Sequence, residues 1–135
     1  MRTRYLLIMM LLLLVSCRDE LNYIADPLGR HYLTYFTITD ESGKSYTIIA
    51  YGKLKKRDVQ NSGYLKARNR WRDGWECLIE WDGKYATVYA PYGYFEPVNL
   101  EAVPLKYQRM KDVYFYELFF DKQDSSFIRL SSSDI

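Results

Sequence analysis

The chain has 135 residues, 19 basic and 17 acidic, and is 48% hydrophobic and 17% aromatic. That length suits one domain with a single modest core, and the near-neutral charge excludes whole-molecule steering toward a polyanion, so nucleic acid is not an expected partner. A single histidine and two cysteines leave little material for a zinc site or a His-based catalytic group.

The N-terminus opens with Arg2 and Arg4, continues through an apolar run of eleven residues from Tyr5 to Val15, and closes on Ser16 and Cys17. A positive start, a short apolar stretch and a small-residue processing site make a secretory signal over 1–16. Eleven residues are too few to cross a bilayer, which needs roughly 20. Arg18, Asp19 and Glu20 block any extension of the run.

"LVSC" at 14–17 resembles the lipobox of bacterial lipoproteins: an aliphatic residue, a tolerant position, a small residue and a cysteine. The resemblance implies cleavage before Cys17 and a lipid on its sulfur, so that the membrane becomes a partner through Cys17. Each buried CH₂ contributes about 0.8 kcal/mol, and two or three acyl chains make a stable anchor where one is marginal. The acidic pair after Arg18 is similar to the surface-export signal of Bacteroidota lipoproteins. Position 18 is not aspartate, so the enterobacterial inner-membrane retention rule does not apply, and the expected location is the outer membrane, with its outer face as a candidate. Loss of Arg2 and Arg4 with the signal leaves 17 basic against 17 acidic residues.

With Cys17 lipidated, Cys77 has no partner for an internal disulfide and is expected to be a buried small hydrophobe. Residues 17–30 read as the lipidated cysteine and a tether ending in Pro27 and Gly29, and 31–135 as a single β domain. "HYLTYFTIT" (31–39) and "KSYTIIAYGK" (44–53) are β-branched and aromatic around the turn cluster "DESG" (40–43), which predicts a hairpin. "WECLIEW" (75–81), Asp82-Gly83 and "KYATVYA" (84–90) predict a second hairpin on a type I′ turn. Its expected register sets Ile79 opposite Ala86, Cys77 opposite Val88 and Trp75 opposite Ala90 on the core face. Leu78 with Thr87, Glu76 with Tyr89 and Glu80 with Tyr85 form the other face.

"PYGYFEPVNLEAVP" (91–104), with its three prolines, reads as an irregular connection. "DVYFYELFFD" (112–121) and "SSFIRLS" (125–131) read as late strands forming another hairpin. The fold class that follows is mostly β: a small antiparallel barrel or sandwich built from hairpins, after an N-terminal lipoprotein signal peptide.

Catalytic, cofactor and metal sites are not expected. His31 stands beside the tether, where a surface role is more economical than a general base. Glu76 and Glu80 share a strand face about 13 Å apart at roughly 3.3 Å per residue, wider than a glycosidase pair, and read as solvated flanks. No Gly-rich phosphate loop occurs.

Two constellations stand out as ligand-binding candidates. In "YLKARNRWR" (64–72), a strand would align Lys66, Arg68, Arg70 and Arg72 on one face, with Leu65, Ala67 and Trp71 on the other. Lys53, Lys55, Lys56 and Arg57 add charge upstream. Guanidinium groups suit bidentate contacts to the oxyanions of a polyanion; equally, basic residues on an edge strand block sheet-to-sheet aggregation. Tyr92, Tyr94 and Phe95 sit in the Pro/Gly-rich connection, where loop aromatics can stack on sugar rings or dock a protein.

The expected function is a non-enzymatic, lipid-anchored envelope lipoprotein that binds a glycan, an envelope polymer or a protein. The alternative is an inhibitor or immunity-type lipoprotein that blocks an attacking enzyme such as lysozyme. That alternative rests on likeness in size and location to lysozyme-inhibitor lipoproteins.

Overall fold

The computed structural model describes residues 21–68, 74–121 and 127–132. Within them, strands form two sheets, one of five strands and one of four, stacked as a sandwich rather than closed into a barrel. The five-stranded sheet runs β1 (Asn22–Ala25), β2 (Tyr32–Thr39), β3 (Ser45–Tyr51), β4 (Tyr64–Arg68) and β7 (Phe95–Val98). The four-stranded sheet runs β8 (Leu105–Met110), β6 (Tyr85–Pro91), β5 (Glu76–Asp82) and β9 (Ile128–Ser131).

The β2–β3 hairpin forms as its turn residues require. Asp40 Oδ1 accepts hydrogen bonds from the Ser42 amide (2.9 Å), the Ser42 hydroxyl (2.6 Å) and the Lys44 amide (2.9 Å), and Gly43 takes φ +80. Such Asx contacts close the turn through bonds within five residues of chain. The expected tether, by contrast, is not all tether: Asn22–Ala25 pairs antiparallel with Tyr32–Tyr35. Ile24 packs against the core while Tyr23 faces out, so four alternating residues suffice for an edge strand.

Asp26 holds the β1–β2 turn. Its carboxylate is buried and accepts from the Arg30 amide (2.7 Å) and the His31 amide (3.1 Å). Burial acts to raise its pKa, but the amide bonds from His31 and Arg30 outweigh burial and hold it below the ordinary 3.8. A carboxylate with a depressed folded pKa stabilises the fold above the unfolded value, and that contribution is lost as pH falls through the folded value. Asp26→Asn is therefore expected to flatten the fall of Tm between about pH 5 and about pH 2 relative to the parent chain. A variant whose Tm falls as steeply as the parent's would show that Asp26 does not carry this acid sensitivity.

The β5–β6 hairpin keeps its expected faces in a different register. Ile79 is opposite Val88 and Trp81 opposite Ala86, because Gly83 and Lys84 rather than Asp82 and Gly83 are the central turn residues. Gly83 has φ +58 and Lys84 does not have positive φ, the pattern of a type II′ turn with glycine first. The slip is an even number of residues, so Cys77, Ile79, Ala86 and Val88 still point inward.

Three further expectations are corrected. The 91–104 segment is not wholly irregular: Phe95–Val98 crosses to the other sheet and pairs with β4. This crossover lets β8 return beside β6 in parallel, so the four-stranded sheet is mixed while the five-stranded sheet is antiparallel throughout. Asp112–Phe120 is an α-helix, α1, not a strand. β9 forms where a late strand is expected, but it pairs with β5.

Trp75, Cys77, Ile79 and Val88 from one sheet meet Leu33, Ile49 and Leu65 from the other. Trp75 packs edge-on against Phe95 at 5.4 Å between ring centroids. A second cluster lies on the outer face of the five-stranded sheet, where Val59 of a 3-10 turn (Lys56–Asn61) covers Phe36, Ile48 and Ala50. Thr34 pins the approach to that turn by donating to the Gly52 carbonyl (2.5 Å) and accepting from the Leu54 amide (3.1 Å). Helix α1 rests on β6 from the far side, with Phe115 fully buried.

Cys77 is wholly buried among these core residues, as expected. Its thiol should resist a thiol-exchange reagent in the native protein and react rapidly once denaturant unfolds the chain. Fast reaction under native conditions would contradict this packing.

Candidate functional site

β8 is an edge strand whose residues alternate in direction. Leu105 is buried, Tyr107 is half-buried, and Lys106, Gln108 and Arg109 are exposed. Facing it, β7 leads through Asn99 into a 3-10 turn at Leu100–Ala102. Asn99 adopts φ +51, a left-handed conformation that asparagine tolerates better than most side chains. An open cleft of about 620 Å³ lies between these segments. Its walls include Tyr85, Pro97, Leu100, Lys106, Tyr107 and Arg109.

The cations are held against aromatic faces. Lys106 Nζ is 5.0 Å from the Tyr85 ring centroid, with Lys84 Nζ at 5.4 Å from the same ring. Arg109 Cζ is 5.9 Å from the Tyr107 ring. These contacts orient the side chains, and the Arg109 guanidinium also interacts with the Tyr107 hydroxyl. Tyr107 is anchored by an edge contact to Phe95 at 6.0 Å, and burial pushes its hydroxyl pKa up. The wall thus sets two phenol rings, two cations and the Gln108 amide along one opening, with Glu101 as an acidic lining residue. That set can stack on a sugar ring and bind an acidic substituent.

The predicted site residues are not gathered here. Tyr92 is 60% exposed in the turn after β6, Tyr94 is half-buried with its hydroxyl 3.1 Å from that of Tyr116, and Phe95 is buried in the core. The loop trio is therefore no joint stacking platform, because Phe95 begins β7 and turns inward. Lys66 does face away from Leu65 and Ala67 as expected, with Nζ 4.2 Å from the Tyr46 ring. Its strand is interior, between β3 and β7, which removes the edge-protection reading. Arg68 ends β4 opposite Tyr46, while Arg70, Arg72 and Cys17 lie outside the described residues.

Glu76 and Glu80 are half-buried rather than solvated. Glu80 accepts from the Tyr89 hydroxyl at 3.4 Å, and the Glu76 carboxylate lies beside Tyr116 under α1. Burial first, then the hydrogen bonds to Tyr94 and Glu76, raise the Tyr116 pKa well above its ordinary value. The His31 amide serves the Asp26 turn. Among the described residues, no group of three or more His, Cys, Asp or Glu side chains is placed to hold a metal ion, and no helix is long and apolar enough to cross a membrane.

Sequence reasoning missed the cleft, although "LKYQRM" (105–110) after Pro104 carries the apolar/polar alternation of a strand. What the sequence lacks is any sign that this strand would face β7 across an opening. No protein-family model matches the chain, and neither does any curated protein or solved structure.

Proposed function

We propose that this protein is a lipid-anchored envelope lipoprotein, held through Cys17 at the outer membrane, whose sandwich is a non-enzymatic binding module for an acidic glycan. The observation that carries the ligand class is the β7/β8 cleft, where Lys106 and Arg109 stand against Tyr85 and Tyr107. Sugar rings stack on phenol faces, and carboxylate or phosphate substituents meet the two cations. The lipid anchor rests on the LVSC motif and its charge pattern.

Affinity electrophoresis of the mature protein through gels containing polygalacturonate, with neutral dextran as control, tests the ligand class. Retardation is expected in the acidic gel alone. Lys106→Ala and Arg109→Ala are each expected to weaken it by about tenfold, as loss of one charge-assisted hydrogen bond does. Equal mobility in both gels, or variants that bind as the parent does, would refute the acidic-glycan reading.

A second reading, an inhibitor of an attacking enzyme such as lysozyme, is favoured by one observation. The outer side of α1 leaves Val113 68%, Tyr114 58% and Phe120 68% exposed, an apolar patch of the kind protein partners cover. Its test is inhibition of lysozyme by the purified domain, abolished by Tyr114→Ser with Phe120→Ser.

A further inference from the structure

We propose that the β1 margin of the five-stranded sheet is a membrane-docking surface, which lies on the phosphate headgroups of the bilayer. The inference rests on the reading of Cys17 as the lipidated residue. Asn22, the first residue of β1, is five residues past Cys17. At no more than about 3.6 Å per residue, that link spans under about 18 Å, so the domain cannot stand off from the bilayer. Leu21, the first described residue, packs against the cluster of Phe36, Ile48, Ala50 and Val59 on the outer face of this sheet.

The surface around that exit has the chemistry of a headgroup contact. Lys53 is exposed, with Nζ 5.1 Å from the Tyr23 ring and 5.3 Å from the Tyr32 ring. Leu28, at the tip of the β1–β2 turn, is 72% exposed. Lys55 and Arg57 are exposed alongside, and Asp58 is the acidic residue of the same stretch. The nearby Asp26 carboxylate is buried and directed to its own turn. Tyrosines with an apolar body and a wet tip, flanked by cations, suit the boundary between acyl chains and phosphates. Each cation near an anionic surface contributes about five-fold to the docked population. β1 and β7 are opposite edges of one sheet, so the β7 side of the cleft lies across the width of the sheet from the docked margin.

The test uses the full mature lipoprotein in vesicles of phosphatidylethanolamine and phosphatidylglycerol, spin-labelled at Leu28→Cys or at Gln108→Cys. Access of a water-soluble nickel chelate is expected to be several-fold lower at position 28 than at position 108. Charge reversal by Lys53→Glu with Arg57→Glu should restore access at position 28. Equal access at both positions on a chain whose N-terminal peptide carries acyl groups by mass spectrometry would overturn the docking surface and leave the anchor standing. An N-terminal peptide without acyl groups would overturn both.

Discussion

Phe115→Ala is expected to destabilise the fold by about 3–5 kcal/mol, the range for removing a buried aromatic side chain. Phe115 is wholly buried and is stacked on Phe119 at 5.5 Å between centroids. Helix α1 has no side-chain N-cap hydrogen bond, and its apolar residues are spread around the axis rather than gathered on one stripe. An isolated nine-residue helix is marginal in water, so tertiary contacts must hold it. Phe115 supplies that contact against the four-stranded sheet, and Arg129 of β9 supplies another. Its Nε donates to the Phe119 carbonyl at 2.5 Å and its Nη2 donates to the Asp121 carbonyl. These are carbonyls that the helix end leaves unpaired. Chemical denaturation with far-ultraviolet circular dichroism should show the loss, and Arg129→Leu should show a smaller one of about 1–3 kcal/mol. A Phe115→Ala protein as stable as its parent would mean that α1 does not pack on the sheet as described.

Gly63→Ala is expected to destabilise the fold as well. A Cβ at position 63 would collide with the Asn99 carbonyl oxygen and come within 2.7 Å of a Val103 methyl. The first obstacle is backbone and cannot rotate away. The substitution is expected to cost about 1–3 kcal/mol, as overpacking does in a filled site. The strain falls on residues 99–103, which form one lip of the cleft through Leu100, Glu101 and Val103. Gly63→Ala should therefore weaken retardation by polygalacturonate as well as lower Tm, whereas Phe115→Ala, acting from the far side of the other sheet, should lower Tm and spare binding in the folded fraction. Glycan binding left intact in a destabilised Gly63→Ala protein would separate the lip from the ligand.

The two variants also mark where local pattern stops being informative. Alternation of apolar and polar residues was enough to place Leu65, Ala67, Cys77, Ile79 and Val88 on inward faces, because a strand has a side-chain period of two whatever its partner. Turn chemistry at Asp40 and Gly43 was equally local and formed its hairpin as expected. Even the register slip at Gly83 preserved those faces, since it moved the pairing by an even step.

The remainder depended on contacts distant in the chain. Val113, Tyr114, Phe115 and Tyr116 have strand propensity in isolation, yet they form a helix, since Phe115 finds a buried site and Arg129 binds the helix end. Phe95 resembles a loop aromatic until Trp75 and Tyr107 close over it from the opposite sheet. The cleft belongs to the same class. A mostly β chain, the inward faces of its hairpins and a buried Cys77 follow from local period and composition and are legible in the residues alone. The sandwich, the helix, the parallel β6–β8 pair and the meeting of Lys106 and Arg109 with an opening emerge only when the sheets pack. The physical reason is that partner choice between sheets is set by which distant surfaces fill each other's volume, and a local pattern does not carry that information.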